Sequence, residues 1–266
     1  PTVAASTVPM FEAACETCEK LMAEENSPVL GLHLEGPYFN PKQAGAQIPE
    51  WIKAPVPEVY EPLLDKYSCI KRWDEAPELP GSVEFIQCCR KHGVVASIGH
   101  TRATYEDVVA GHKAGMMHAT HFYNAMPVVY KEHEFKVPGT VESVYALPDM
   151  TIELIADGIH VPPVMLKVAY KIKGVEKTAL ITASLACAAG EAGVAFDPRV
   201  ILEDGVCKLA DHSALAGSIA TMDRLIRTCV QMAGIPMEDA CRMASETPAK
   251  IMGVFDRKGS LEDGKD

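Results

Sequence analysis

Short apolar runs alternate with longer amphipathic stretches along the chain, and the pattern is clearest between residues 94 and 127. Val94–Ile98 is rich in β-branched residues and too short for a helix, so it predicts a buried strand. Thr101–Ala114 begins with a hydroxyl followed by Glu106 and carries apolar residues at roughly helical spacing. This stretch predicts a helix that begins with a cap.

A second short strand, Met116–Thr120, follows that helix and ends at His121, just as the first strand ends at His100. A strand, a helix and a strand within about thirty residues predict a parallel βαβ unit. Each strand delivers a histidine at its C-terminal end, which is the end where parallel sheets and barrels carry their chemistry.

The rest of the chain repeats this alternation. Further strands are predicted at Thr2–Ala5, Pro28–Glu35, Cys69–Trp73, Thr151–Ala156 and Thr178–Ala183. Further helices are predicted at residues 7–23, within residues 50–66, and at Ser82–His92, Pro162–Lys173, Ser218–Ala233, Pro236–Ser245 and residues 247–253, with a small hairpin that turns at Asp204-Gly205. Strands alternating with helices, without a short repeat, predict an α/β fold of the (β/α)8 TIM-barrel type, with residues 1–266 as one domain.

Polar side chains also end the other predicted strands. Glu35 ends one, Asp157 and His160 follow another, and Thr182 lies near the end of a third. A core or surface role is the alternative for any one of these residues taken alone. Carboxylates and imidazoles gathered at one end of a barrel are the ligands that a divalent metal of the zinc type requires.

Composition and charge narrow the function classes. The 266 residues are 48% hydrophobic, which is enough to bury a large core. The formal net charge of −11 and the lack of a Lys/Arg cluster argue against nucleic acid or an anionic membrane as the partner. Apolar stretches of membrane-spanning length and a signal-peptide pattern are both missing, so we expect a cytoplasmic protein.

The nine cysteines are an odd number, and Cys88 and Cys89 are adjacent. We interpret them as reduced thiols of a cytosolic protein. Cys15 and Cys18 form a CxxC motif on an amphipathic helix, without a second pair at zinc-finger spacing. Helix packing is therefore the preferred interpretation of this pair.

Five separated motifs carry a resemblance to a known family. In order along the chain they read HLEGPYFNPKQAGAQ, SIGHTRATYEDV, HATHFYNAM, ELIADGIHV and LAGSIATMD. With these motifs the chain resembles the N-acetylglucosamine-6-phosphate deacetylases of the amidohydrolase superfamily, over nearly its whole length. The resemblance implies a TIM-type metal-dependent hydrolase barrel that converts N-acetyl-D-glucosamine 6-phosphate to D-glucosamine 6-phosphate and acetate.

The resemblance also implies roles for particular residues. Glu35, His100 and His121 match the metal ligands, and His160 matches a catalytic histidine that contacts the substrate and supports the carbonyl oxygen as charge develops. Zinc is the expected metal, with iron, manganese or cobalt as alternatives. The remaining matches to substrate-binding positions are Ala46, Gln47, Asn124, Ala125, Lys136, Asp157, Leu215, Ala216 and Gly217. For the loop positions among these, a structural turn is the alternative.

The chain departs from the family pattern at two functional positions. Ala183 stands where the family has the aspartate that moves protons between water, substrate and the departing amine, and loss of such a group commonly lowers the rate by about a hundred to ten thousand fold. Lys136 stands where the family has an arginine that reaches the phosphate bound in the neighbouring subunit of a dimer. Lysine holds a phosphate as a point charge rather than through a bidentate fork.

We therefore expect a homodimer that binds a small amino-sugar phosphate and turns it over poorly. The alternatives are a non-catalytic sugar-phosphate-binding pseudoenzyme and another amidohydrolase that acts on a related amide. In the family a first barrel strand and part of a small β-sandwich come before the point where this chain begins. We expect both, and the segment that returns to the sandwich, to be missing, so that the barrel domain is incomplete at both ends.

Overall fold

A computed structural model of the protein describes residues 1–189 and 197–266. Within these ranges helices and strands alternate as the sequence predicts. In chain order they are β1 (Thr2–Ala4), α1 (Val8–Met22), β2 (Leu32–Glu35), α2 (Pro57–Lys66), β3 (Ile70–Glu75), α3 (Ser82–Lys91), β4 (Val95–Ile98), α4 (Tyr105–Ala114), β5 (His118–Ala119), β6 (Tyr130–Glu132), β7 (Phe135–Val137), α5 (Thr140–Tyr145), β8 (Thr151–Leu154), α6 (Pro163–Lys173), β9 (Thr178–Leu180), β10 (Val200–Glu203), β11 (Val206–Leu209), α7 (Met222–Gln231), α8 (Met237–Ala244) and α9 (Glu246–Ile251).

The main sheet of the described residues has seven strands in the order β1-β2-β3-β4-β5-β8-β9. Its order follows the chain, and the strands from β1 to β5, and β8 with β9, pair in parallel. Helices connect most neighbouring strands, so the predicted βαβ arrangement is confirmed. Because β1 to β5 point the same way, their C-terminal ends lie along one edge of the sheet, and the same holds for β8 with β9.

The chain divides into two compact units. Pro1–Thr120 and Ala125–Met150 form the first, and His121–Asn124 and Thr151–Asp266 form the second. The expectation of one domain over residues 1–266 stays a prediction.

Aromatic side chains form the centre of the first unit. The ring of Tyr38 stacks on Trp73 at 5.6 Å between centroids, and Phe85 of α3 contacts both rings edge-on at 5.0 and 5.2 Å. Phe11 and Tyr60 extend the cluster, and all five side chains are nearly inaccessible to solvent. Burial of this much aromatic surface holds α1, α2 and α3 against the strands.

The second unit is organised by the apolar faces of its helices. In α7, Leu225, Thr228 and Cys229 recur at the spacing that turns one helical face inward, and all three are buried. The hairpin of β10 and β11 turns at Asp204-Gly205, where both residues have positive φ, as predicted.

Several predicted boundaries were wrong. Thr104 rather than Thr101 caps α4, because Thr104 accepts the Asp107 N–H while Asp107 accepts the Thr104 N–H. Residues 124–139, for which no helix or strand was predicted, contain the short hairpin of β6 and β7, and the strand predicted to Ala183 ends at Leu180.

The helix predicted from Ser218 begins at Met222. The preceding residues pair with the segment after β9 instead, since the Ser218 N–H donates to the Ala183 carbonyl at 2.9 Å.

All nine cysteines are free thiols in the structure. Cys15 and Cys18 are buried on α1, so the prediction that they serve helix packing is confirmed, while the cytosolic location stays a prediction. Among the residues that the structure describes, no helix is both long and apolar enough to cross a lipid bilayer.

Candidate metal centre and active site

His100 follows β4, and contacts constrain both its backbone and its imidazole ring. Its backbone has φ 47°, and its ring stacks on Phe39 with 4.3 Å between centroids. The Nδ1 atom lies 2.8 Å from the Gln43 carbonyl oxygen, so Nδ1 carries the proton and donates it there. The remaining nitrogen, Nε2, lies 3.1 Å from Oε1 of Glu35, with its lone pair available to a metal.

Glu35 is the last residue of β2, and His121 follows β5. The His121 backbone also has positive φ, 27°, and its N–H donates to Oε1 of Glu153 at 3.2 Å. Glu35, His100 and His121 each offer one ligand atom, and these atoms lie within 4.8 Å of one another. One carboxylate oxygen and two imidazole nitrogens form a donor set that fits a divalent ion of the zinc type.

Ala183 lies beyond the end of β9 with φ 46°. Residues other than glycine rarely adopt this left-handed conformation, and histidine, aspartate and asparagine are enriched in it several-fold. His100 and His121, which also follow strands of the sheet, share this conformation. Ala183 therefore shares an uncommon backbone conformation with the two candidate histidine ligands, but its side chain offers no polar atom.

Asp157 and His160 form a pair after β8. Nδ1 of His160 donates to Oδ2 of Asp157 at 2.7 Å, and both side chains are almost fully buried. Burial tends to raise the pKa of the Asp157 carboxyl, but hydrogen bonds from the His160 ring and from the N–H groups of Ile159 and His160 outweigh it and lower the pKa below its ordinary value. The ionised carboxylate fixes the orientation of the imidazole through Nδ1, and Nε2 is the ring nitrogen that this contact does not use.

Two of the predicted loop residues lie next to the candidate metal ligands. The Asn124 amide donates to the His121 carbonyl at 3.0 Å. The Ala125 carbonyl accepts from the Thr101 N–H at 3.1 Å.

The other predicted sugar-binding residues lie in structured loops. Gln47 is buried and its Oε1 accepts the Ala5 N–H at 2.9 Å, and Ala46 precedes it half-buried. Leu215, Ala216 and Gly217 run along β11, where the Ala216 N–H donates to the Cys207 carbonyl at 2.8 Å.

Lys136 lies on the exposed hairpin. It is directly opposite Lys131 across the β6–β7 ladder, and both side chains are solvent-exposed. Two ammonium groups at neighbouring positions repel each other and attract an anion.

Sequence reasoning missed Glu78 and Gln43. Glu78 accepts three hydrogen bonds from the loops around His100, and the Gln43 carbonyl fixes the His100 tautomer. Glu78 could have been found by the signal that identified Glu35, since it follows β3 as a charged group at a strand end. The role of Gln43 rests on a backbone carbonyl, which no residue pattern reveals.

The family model described as the amidohydrolase family matches residues 5–266. The chain belongs to this family. This match confirms the fold prediction. The relatives described next confirm the resemblance to the deacetylases. Amidohydrolases generally depend on a divalent metal, and the ligand atoms of Glu35, His100 and His121 form a candidate site for one.

Named relatives give the likeness in detail. A Bacillus subtilis N-acetylglucosamine-6-phosphate deacetylase is 38% identical over 251 residues, which cover 92% of this chain and 62% of that relative. The crystal structure of the Pasteurella multocida N-acetylglucosamine-6-phosphate deacetylase matches with a TM-score of 0.92 and 31% identity, over 100% of this chain and 69% of that one.

A third match is a structure of the Mycobacterium smegmatis N-acetyl-D-glucosamine-6-phosphate deacetylase. Its TM-score is 0.86 at 29% identity, over 95% of this chain and 67% of that one. That protein is a variant with alanine in place of an aspartate, in complex with N-acetyl-D-glucosamine 6-phosphate. The chain thus spans 62 to 69% of these three relatives.

Proposed function

We propose that this chain carries the barrel of a metal-dependent hydrolase of a linear amide C–N bond, which deacetylates N-acetyl-D-glucosamine 6-phosphate to D-glucosamine 6-phosphate and acetate. The observation that carries the proposal is the convergence of the Glu35, His100 and His121 ligand atoms within 4.8 Å. The deacetylase relatives supply the substrate class.

Each polar side chain of the site then has a role. Glu35, His100 and His121 hold the divalent ion, for which zinc is the first choice. When bound, such an ion supplies Lewis acidity, which makes water nucleophilic near neutral pH and polarises a carbonyl. His160, oriented by Asp157 through Nδ1, presents Nε2 to the acetamide oxygen. In the imidazolium form Nε2 also carries a proton, which it donates to that oxygen and so stabilises the negative charge that develops there.

Ala183 leaves the proton transfers without a carrier. Its methyl group has no exchangeable proton, and the hydroxyls of Thr182 and Ser184 titrate far from neutral pH. Ser184 in addition donates to the Ala220 carbonyl at 2.5 Å. The chain therefore binds metal and sugar phosphate better than it turns the substrate over.

The test is Ala183→Asp, assayed by acetate release from N-acetyl-D-glucosamine 6-phosphate with added zinc. We expect the rate to rise by about a hundred to ten thousand fold, because the carboxylate restores general acid–base catalysis. Ala183→Asn is the matched control, since it has nearly the same shape and also accepts the left-handed backbone but carries no titratable group. Equal rates for the two variants would contradict the role.

A non-catalytic sugar-phosphate-binding protein is the second candidate, and Ala183 itself favours it. Such a protein would bind the sugar phosphate, as the alanine-for-aspartate relative does, and would stay inactive after Ala183→Asp. A panel of N-acetylated sugars, with and without a 6-phosphate, separates both candidates from an amidohydrolase of a related amide.

The loops at the strand ends bind the sugar. We assign sugar contacts to Ala46, Gln47, Asn124, Ala125, Asp157, His160, Leu215, Ala216 and Gly217. The phosphate is assigned to Lys136 of the neighbouring subunit in a homodimer, and the pairing of Lys136 with Lys131 supports an anion site there.

Exposed apolar side chains support this dimer. Val128, Val129, Tyr130 and Phe135 on and beside the hairpin have 47%, 50%, 39% and 68% of their surface exposed. A cluster of this kind is typical of a surface that a partner covers. The nine free thiols support a reducing compartment such as the cytoplasm.

A further inference from the structure

The Glu78 carboxylate joins two loops that carry and support His100. It lies in the turn between β3 and α3, half-buried, and accepts three hydrogen bonds of 2.5 to 2.9 Å. We propose that Glu78 is a positioning residue that fixes His100 for metal binding. The inference rests on the proposed function for the identity of His100 as a ligand.

One set of contacts holds the backbone next to His100. Oε2 of Glu78 accepts from the Thr101 hydroxyl at 2.5 Å, and Oε1 accepts from the Arg102 N–H at 2.6 Å. These two residues follow His100 directly and determine where its chain leaves the strand. A histidine at φ 47° is stable only where its neighbours over-determine the backbone, and the carboxylate supplies two of the required constraints.

The other contact holds the support of the imidazole ring. Oε1 of Glu78 also accepts from the Asn40 amide at 2.9 Å. Asn40 caps the short 3-10 helix Pro41–Gln43 by accepting the Lys42 N–H, and its own N–H donates to the His100 carbonyl at 2.9 Å. The helix ends at Gln43, whose carbonyl receives the His100 Nδ1 proton.

One carboxylate thus controls both the position and the tautomer of His100. The direct hydrogen-bond partner of Nδ1 of the His100 ring is the Gln43 carbonyl, and loss of such a partner of a metal ligand commonly changes metal affinity by about 10 to 100 fold. Glu78 acts one contact further out, through Asn40 and through the backbone that follows His100. If Glu78 were purely structural, its loss would lower the free energy of unfolding and leave the metal affinity unchanged.

The experiment measures the zinc dissociation constant of the metal-free protein by competition with a chromophoric chelator. Glu78→Ala should weaken zinc binding by about 10 fold, the lower end of the range for direct partners, because it acts on His100 through its neighbours. Glu78→Gln should recover most of the affinity, because its amide oxygen still accepts from Asn40 and Arg102 and its amide nitrogen donates to the Thr101 hydroxyl. With cobalt in place of zinc, the visible absorption bands should change in Glu78→Ala and not in Glu78→Gln.

Glu246→Ala is the matched control. Glu246 also accepts three hydrogen bonds, from Arg242 and Lys250, and takes no part in the proposed site. Its loss should lower the unfolding temperature and leave the zinc affinity unchanged. Equal zinc affinities for wild type and Glu78→Ala would overturn the proposal, as would an equal loss in Glu246→Ala.

Two variants of the donors to Glu78 decide the matter if Glu78→Ala does not fold. Thr101→Val and Asn40→Ala each remove one donor to Glu78, together with the N–H contact that each side chain accepts, and each should weaken zinc binding by a smaller factor. Unchanged affinity in both would refute the positioning role.

The readout needs no substrate, so it also separates the two proposals. If Ala183→Asp releases no acetate while Glu78→Ala loses zinc affinity, the deacetylase function fails and the positioning role stands. The reverse pattern keeps the function and removes the role.

Discussion

At the scale of single residues, two independent observations support the proposal that Ala183 replaces an aspartate of the site. The family resemblance predicts an aspartate there, and the backbone has φ 46°. Left-handed backbone costs alanine about 1 to 2 kcal/mol, while aspartate adopts it more readily. Ala183→Asp therefore suits the local backbone as well as the chemistry.

The pair of Asp157 and His160 gives a stability prediction that depends on pH. The folded-state pKa of Asp157 lies below its ordinary value of 3.8. A depressed pKa stabilises the fold above the unfolded-state pKa, and that stabilisation is lost as the pH falls through the folded-state pKa. Asp157→Asn should thus cost about 1 to 3 kcal/mol at pH 7, because a charged acceptor of several buried hydrogen bonds is removed.

Urea unfolding at several pH values measures the difference between wild type and Asp157→Asn. The difference should shrink as the pH falls below about 4. Asp223→Asn is the control, because Asp223 is exposed and its loss should change little. A difference that is constant down to acidic pH would show that the carboxylate charge has no part in holding His160.

At the scale of elements, the hairpin of β6 and β7 is exposed and apolar. Phe135 has 68% of its surface accessible, and covering such a side chain in a dimer is favourable. Phe135→Ser should therefore dissociate the proposed homodimer or weaken it strongly, as sedimentation velocity would show.

The control for Phe135→Ser is Val164→Ser on α6. Val164 is 67% exposed but lies on a helix outside the hairpin. Its substitution should leave the sedimentation coefficient unchanged. If wild type sediments as a monomer, or if both variants behave alike, the hairpin is not the dimer contact.

Elements with strong apolar patterns could be predicted from the sequence. Val95–Ile98 and the helix Ser82–Lys91 match their predicted positions within one or two residues, because burial alone determines them. The hairpin Tyr130–Val137 could not be predicted, since its strands are short and exposed and give no apolar alternation.

The same contrast applies to the site. Glu35, His100 and His121 follow or end apolar strands, so the pattern of apolar runs identifies them as candidates. The hydrogen bonds of Glu78 and of the Gln43 carbonyl depend on how three loops pack together. No local pattern in the sequence predicts that packing.

At the scale of the whole molecule, the candidate ligands are far apart in sequence: His100 is 65 positions after Glu35, and His121 is 21 positions after His100. The strands β2 to β5, which they end or follow, pair in parallel. Because each of Glu35, His100 and His121 lies at or beyond the end of its strand, a sheet whose strands run in one direction gathers them at one edge. The proposed deacetylase function depends on this convergence more than on any single side chain.

X-ray absorption at the zinc edge of the wild-type protein, loaded with one equivalent of zinc, tests that convergence most directly. The account predicts one ion per chain with nitrogen and oxygen ligands at about 2.0 to 2.2 Å, including two imidazoles, and loss of that signal in His100→Ala and His121→Ala. A shell of sulfur ligands at about 2.3 Å, or zinc binding that survives both substitutions, would contradict it.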